Sequence, residues 1–322
     1  MAKSRALEDT LAALGGLRQE PVTDQTITTL RQALGAKVSH VVAKAAQVSG
    51  ELLVRAVLGD LAAAFERFLV NPVKTDPGCR AKVEIARALY ELGEDPASVF
   101  VRGIHHRQLE PVFEGREDTA PELRAVSALG LVRVNHPETM VELAELLADP
   151  EASARIGAAR AIAYAEDGAG EPLLRLKALA GDDDPGVVSE CLGALLSLAG
   201  SRALAFVVRF LDHLDPIVQE AAALALGASR LRDALPILRA WWERTVETDL
   251  RRSALSAIAM LRHDDAIGFL ESVVADACGP DARDALAALG AYRYDEALRG
   301  RVASAVERRT DVDLHAAFSK AF

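Results

Sequence analysis

The sequence predicts an all-α solenoid, a superhelix of stacked antiparallel helix pairs, and three observations predict it. One stretch, Asp215–Gly227 (DPIVQEAAALALG), sets a frame that starts at Val218 and also fits from Leu123, Ala154, Val187, Leu250 and Asp281. The spacings between successive starts are 31, 33, 31, 32 and 31 residues. Four residues into each frame stands a small side chain (Ser127, Ala158, Cys191, Ala222, Ala254, Ala285), and eight residues in stands an aliphatic one (Leu131, Ile162, Leu195, Leu226, Ile258, Leu289). Asp149-Pro150, Asp184-Pro185 and Asp215-Pro216 punctuate the turns before three of these stretches. A period of this length marks stacked supersecondary units, none of which can bury its apolar face alone.

Each unit reads as two helices. The first carries the heavier apolar residues, as in Leu204, Phe206, Val207, Phe210 and Leu211, and the second is alanine-rich. An aspartate at the N-cap takes up free amide donors, and a proline at the first helical position forfeits no hydrogen bond. Small residues four positions in let neighbouring second helices approach closely, while the aliphatic at position eight fills the space between layers.

Taken in order, residues 1–20 read as an N-terminal capping helix, with Ser4 as its cap and Leu7, Leu11 and Leu14 on one face. Repeats then occupy residues 24–308, about eight in all. Asp24–Leu34 with Val38–Ser49 makes a loose first pair; Leu58–Val70 with Arg80–Gly93 makes a second, joined by the turn NPVKTDPG. Pro72 and Pro77 are expected to forbid helix through that turn. Asp95-Pro96 opens Ala97–Gly103, which looks too short for a full first helix. Residues 104–118 (IHHRQLEPVFEGRED) are the one place where the period fails, and insertions in such arrays map to loops on one face, often the binding face. The segment is therefore expected at the rim of the concave surface, removable without much loss of stability. At the end, Leu314, Phe318 and Phe322 form one helical stripe, so residues 311–322 are expected to fold back as a closing cap, completing a single domain over 1–322.

The D-P-x-V…A-a-x-a-L-G pattern resembles the HEAT-repeat family, including bacterial HEAT-like repeat proteins. Arg124, Arg155 and Arg251 match the arginine that usually comes after the aliphatic start, whereas Val188 and Gln219 depart from it and interrupt any ladder of turn aspartates and arginines. The resemblance implies an α-solenoid whose second helices line a concave face, and a role mostly in protein or peptide scaffolding. Proteins of this kind also include lyases that attach bilin chromophores to phycobiliproteins and glycosylases that cradle damaged DNA.

Composition narrows the classes. The net charge is −10, and residues 119–200 hold 13 acidic against 6 basic side chains, which opposes general binding to nucleic acid or anionic membrane. No window is long and apolar enough to span a bilayer, and the first residues lack a signal-peptide core. Three cysteines, Cys79, Cys191 and Cys278, are far apart and share no C-x-x-C spacing, as in a reduced cytoplasmic protein. Arginine outnumbers lysine 30 to 7, as GC-rich bacterial coding would produce.

No G-x-S-x-G, G-x-x-x-x-G-K-[ST] or H-E-x-x-H occurs. His105 and His106 are adjacent, so they diverge by about 100° on a helix or point to opposite faces of a strand, and they are not expected to share an ion. Catalytic residues, metal and cofactor are accordingly expected to be absent. The expected partner-binding residues fall in two sets. Arg87, Tyr90, Arg133, Arg160 and Tyr164 occupy non-core positions of second helices, with the arginine–tyrosine composition of a binding hot spot. His105, His106, Arg107, Gln108 and Glu110 belong to the insertion. The expected protein is a non-catalytic scaffold or adaptor for a protein or peptide, monomeric or weakly oligomeric.

Overall fold

The computed structural model describes residues 2–93 and 97–322, with side chains from Leu7 onward, so the Ser4 cap and Asp95-Pro96 lie outside the described residues. The chain is an all-α solenoid that groups into two compact units, Met1–Glu166 and Asp167–Phe322.

In the first unit, helix α1 spans Ala2–Gly16, and helix pairs succeed it: α2 (Asp24–Leu34) with α3 (Ser39–Glu51), and α4 (Leu58–Phe68) with α6 (Arg80–Leu92). Between α4 and α6 lies a single helical turn, α5 (Pro72–Thr75). Pro72 does not forbid helix there; it opens one, at the first position, where its missing N–H costs nothing. Next come α7 (Ala97–Ile104) with α8 (Pro121–Arg133), and α9 (Thr139–Leu146) with α10 (Ala152–Ala165). The expectation that Ala97–Gly103 is too short also fails. Helix α7 has 8 residues, as many as α9, and it buries Val99, Phe100 and Ile104 against α8.

The second unit holds α11 (Gly170–Ala180) with α12 (Pro185–Ala199), α13 (Ser201–Val208) with α14 (Pro216–Ala228), and α15 (Ala234–Arg244) with α16 (Thr248–Met260). It ends with α17 (Asp264–Asp276) on α18 (Gly279–Leu289), then α19 (Glu296–Glu307) and α20 (Val312–Ala321). Within each unit the second helices pack on one another in sequence: α3–α6–α8–α10, and α12–α14–α16–α18. Helix α20 takes the next place in the second row, against α18 and α19, with Asp311 capping the Leu314 amide at 3.1 Å and Leu314 fully buried.

All twelve residues of the small and aliphatic columns, from Ser127 to Ala285 and from Leu131 to Leu289, are fully buried. Close approach of second helices explains the small column, and Gly227 carries it to its limit. A Cβ there would stand 2.3 Å from the Ala257 carbonyl oxygen on α16. Asp184 and Asp215 act as predicted caps, accepting from the amides of Gly186 at 2.8 Å and Ile217 at 2.9 Å. Trp241 points inward and donates its indole N–H to the Leu211 carbonyl at 3.1 Å, while Trp242 turns sideways beneath the Arg251 guanidinium.

Candidate functional site

The first unit departs from the repeat at its turns, and that departure positions the candidate site. Asp76 closes the one-turn helix α5, and its carboxylate accepts from the amides of Ala81 at 2.9 Å and Lys82 at 3.1 Å, which start α6. The Lys82 ammonium donates to the same carboxylate at 2.8 Å, and neither side chain reaches solvent. A buried ion pair survives desolvation only when hydrogen bonds saturate it, as these do.

The insertion is built onto this connection. Instead of a loop, residues 109–118 form an antiparallel hairpin, β1 (Leu109–Pro111) paired with β2 (Arg116–Asp118). Its base is buried. Gln108, only 1% exposed, donates to the Asp76 carbonyl at 2.8 Å and to the Glu110 carboxylate at 2.6 Å. Glu110 also accepts from the Gly78 amide at 2.6 Å and the Thr119 hydroxyl at 2.9 Å. Asp118 accepts from the amides of Gln108 and Ala120, each at 3.0 Å, and from Arg124 at 2.8 Å.

Arg124, 1% exposed, extends its other arm to Asp149 at 2.9 Å, and Arg107 reaches Asp149 at 3.1 Å from the outside. Because α10 starts three residues later, Asp149 lies before its N-cap; the carboxylate accepts from the Glu151 amide at 2.9 Å and also serves these arginines. Burial would raise the Asp118 carboxyl, but the two amides and Arg124 outweigh it and hold it below its ordinary range. Glu110 is likewise lowered, its hydrogen bonds from Gln108, Gly78 and Thr119 prevailing over burial.

These contacts revise the insertion half of the expected binding set. Gln108 is a buried linchpin with no free face for a partner, and Glu110, half-buried, has one carboxylate oxygen taken up by three donors. The same contacts count against the expectation that residues 104–118 can be removed with little cost: excising them would take the Gln108 donor from the Asp76 carbonyl, the Asp118 acceptor from Arg124 and the Arg107 partner from Asp149. His106 is half-buried, its ring 3.3 Å from the Gln108 amide oxygen, and burial pushes its pKa down. His105 and Arg107 remain exposed, His105 lying 3.0 Å from Glu142 on α9. The hairpin tip is exposed, Phe113 fully so.

Of the second-helix half, Arg87 and Tyr90 line one cleft, and Arg133 and Tyr164 touch Tyr90. Helices α3, α6 and α8 border an open cleft of about 720 Å³ lined by Gln47, Glu51, Glu84, Arg87, Tyr90 and Leu129, among others. Its floor depends on Gly50, since a Cβ there would lie 2.9 Å from the Ala88 backbone. Arg87 is held at the wall by Glu84 at 2.6 Å and by Glu122. Tyr90 lies under the Arg133 guanidinium, 4.9 Å from ring centroid to carbon, and its ring meets Tyr164 from α10 at 6.5 Å. Burial and the Tyr164 hydroxyl raise the Tyr90 phenol, against the pull of Arg133. Arg160 is exposed on α10, one turn before Tyr164.

A sequence model of HEAT repeats matches residues 172–259 and 208–290. Residues 172–290 carry HEAT repeats. No match is found among functionally curated proteins. Similar solved structures include the complex of CpcE and CpcF of phycocyanin lyase from Nostoc sp. PCC7120. That chain is 18% identical, the match covers 90% of this chain and 96% of that one, and the TM-score is 0.37. An engineered protein is 16% identical over 97% and 90% of the two chains, with a TM-score of 0.35. Human deoxyhypusine hydroxylase in complex with glycerol is 16% identical over 91% and 99%, with a TM-score of 0.32.

The matched HEAT repeats all lie in the second unit, whereas every candidate binding residue lies in the first. Sequence reasoning missed Asp76, Lys82, Glu142 and Glu145. Asp76 precedes a proline like the other turn aspartates, and that shared dipeptide is the signal that could have found it. The glutamates carry none, since they look like the ordinary polar face of a helix.

Proposed function

We propose that this protein is a non-catalytic scaffold or adaptor that seats an extended segment of a partner protein on the second-helix face of its first unit. The observation that carries the reading is the cleft beside Tyr90, Arg133 and Tyr164. Aromatic and guanidinium groups dominate the energetics of protein interfaces. Here the Arg133–Tyr90 stack and the Tyr90–Tyr164 contact already fix the side chains, so less rotamer freedom is lost on binding. A bacterial cytoplasm is the proposed setting; the buried thiols Cys79 and Cys191, both pushed up to about 12 by burial, suit a protein that keeps its cysteines reduced.

The test is affinity capture from the source cells with three baits: the unaltered protein, Tyr90→Ala/Tyr164→Ala, and Arg252→Ala on the second unit. A partner retained by the first and third baits and reduced at least about tenfold with the second is expected, a loss of about 1.4 kcal/mol or more. Equal recovery on all three baits would remove the cleft from the reading.

A further inference from the structure

We propose that His105, Glu142 and Glu145 form a binding site for one first-row divalent cation, with zinc the best fit. The three residues come from two elements that the fold brings together. Glu142 and Glu145 stand three apart on α9 and so share a face. His105 is the first residue after α7, and the two residues after it are anchored: the His106 carbonyl accepts from Arg124 at 3.0 Å, and Arg107 is tied to Asp149. The imidazole is thereby held over α9.

One ligand atom from each of the three side chains lies within 4.8 Å of the others. The closest pair, His105 Nε2 and Glu142 Oε2, is 3.0 Å apart. That Glu142 oxygen is nevertheless buried with no hydrogen-bond donor, so the contact has hydrogen-bonding length without hydrogen-bonding direction. Two ligands each about 2.1 Å from a tetrahedral zinc stand roughly 3.4 Å apart, which this pair reaches by a small rotation. A cation would give the orphaned oxygen the partner it lacks.

Space and charge agree. The three groups open on a cavity of about 150 Å³ whose other walls are Ile104, Arg107, Leu146 and Asp149, enough for an ion and a bound water. Arg107 brings a positive charge to the wall, but Asp149 at 3.1 Å and Asp118 at 3.8 Å share it with Arg124. Two arginines offset two aspartates, and the charge left over is that of Glu142 and Glu145, matched to a dication. Imidazole with carboxylates suits zinc and its neighbours, whereas calcium and magnesium take oxygen ligands and more of them. His105 is half-exposed, which supplies an entry path and a fourth position for water. Binding would clamp the entry to the hairpin onto α9.

The experiment uses the full chain, stripped with chelator, re-equilibrated at micromolar free zinc and desalted, with metal counted by mass spectrometry and affinity followed by titration. The unaltered protein is expected to hold one zinc per chain and to melt at a higher temperature with it. His105→Ala, an exposed change that the fold should tolerate, is expected to lose the zinc and the thermal shift together. Glu142→Gln and Glu145→Gln should each weaken binding at least tenfold, with His106→Ala unchanged. Retention by His105→Ala, loss with His106→Ala, or no stoichiometric zinc in the unaltered protein would each overturn the site.

Discussion

The two units are made of the same helix pair, and they part company at the turn between its helices. In the second unit the Asp-Pro turns are local devices, although Asp281, at the turn before α18, holds Arg251 of the preceding pair at 2.9 Å and Asp182 holds Lys177 at 2.8 Å. Asp184 and Asp215 each satisfy one amide of the helix they start, in partly or fully solvated positions. In the first unit the turn aspartates are buried, and each holds a cationic side chain as well as backbone amides: Asp76 holds Lys82, Asp118 holds Arg124, and Asp149 holds Arg124 and Arg107. A capping turn tolerates neighbours of any kind, whereas a buried carboxylate demands specific ones. The regular unit is thus the one a repeat model can match, and the irregular one holds an insertion in a defined place.

The sharpest way to break this comparison is to remove an Asp-Pro aspartate from each unit. Asp76→Ala leaves Lys82 charged and buried with only the Phe68 carbonyl, at 3.5 Å, to accept from it, and is expected to cost about 3–5 kcal/mol in denaturant unfolding read by a probe in the first unit. Asp215→Ala removes one cap and should cost about 1 kcal/mol. Equal costs would mean that the buried pair contributes no more than a cap does.

Legibility in the sequence divides along the same line. Periodicity reveals residues that pack by size, so the small and aliphatic columns can be placed from spacing alone, and Asp215 can be assigned its cap. The closing helix is legible because Leu314, Phe318 and Phe322 need a surface to cover. Arg87, Tyr90, Arg133 and Tyr164 are recognisable as a group because their spacing puts them on the exposed side of successive second helices. Buried polar networks are not periodic. Nothing in the spacing pairs Asp76 with Gln108 across 32 residues, or His105 with Glu142 across 37. The hairpin escapes notice for a related reason. Its strands are 3 residues each, and hydrogen bonds accepted by Glu110 and Asp118 hold them in place more than any alternation of apolar residues does.

A smaller effect distinguishes the units by pH. Asp118 and Glu110 both have folded pKa values below their ordinary ones, so their contribution is fully present above the unfolded values near 4 and is lost as pH falls through the folded ones. Asp118→Asn keeps an oxygen for the two amides but gives up the charge that faces Arg124. The expected result is a loss of about 1–3 kcal/mol at neutral pH, together with a flatter decline of stability between pH 5 and about pH 2 than the unaltered chain shows. Parallel acid profiles for the two proteins would show that Asp118 has the same proton affinity folded and unfolded.

The smallest effect is expected at the hairpin tip, and it tests whether the insertion is anchored only at its base. Pro111 pairs with Arg116 as the last rung, and residues 112–115 arch beyond it with Gly115 at a φ of 93°. Val112, Phe113 and Glu114 are exposed, and the tip is closed by a Val112 amide bond to the Gly115 carbonyl at 3.3 Å. Replacing the four residues by Asn-Gly leaves the rung in place and supplies the two residues that a tight hairpin turn prefers. No buried polar group loses its partner, so stability should stay within about 0.5 kcal/mol of the unaltered protein. Asp76, Gln108 and Asp118 keep their bonds in that variant, whereas deleting residues 104–118 removes two of those three and should unfold the first unit. A tip variant that melts as early as Asp118→Asn would show that Phe113 packs against the protein in solution, and the free end of the insertion would then be part of its anchor.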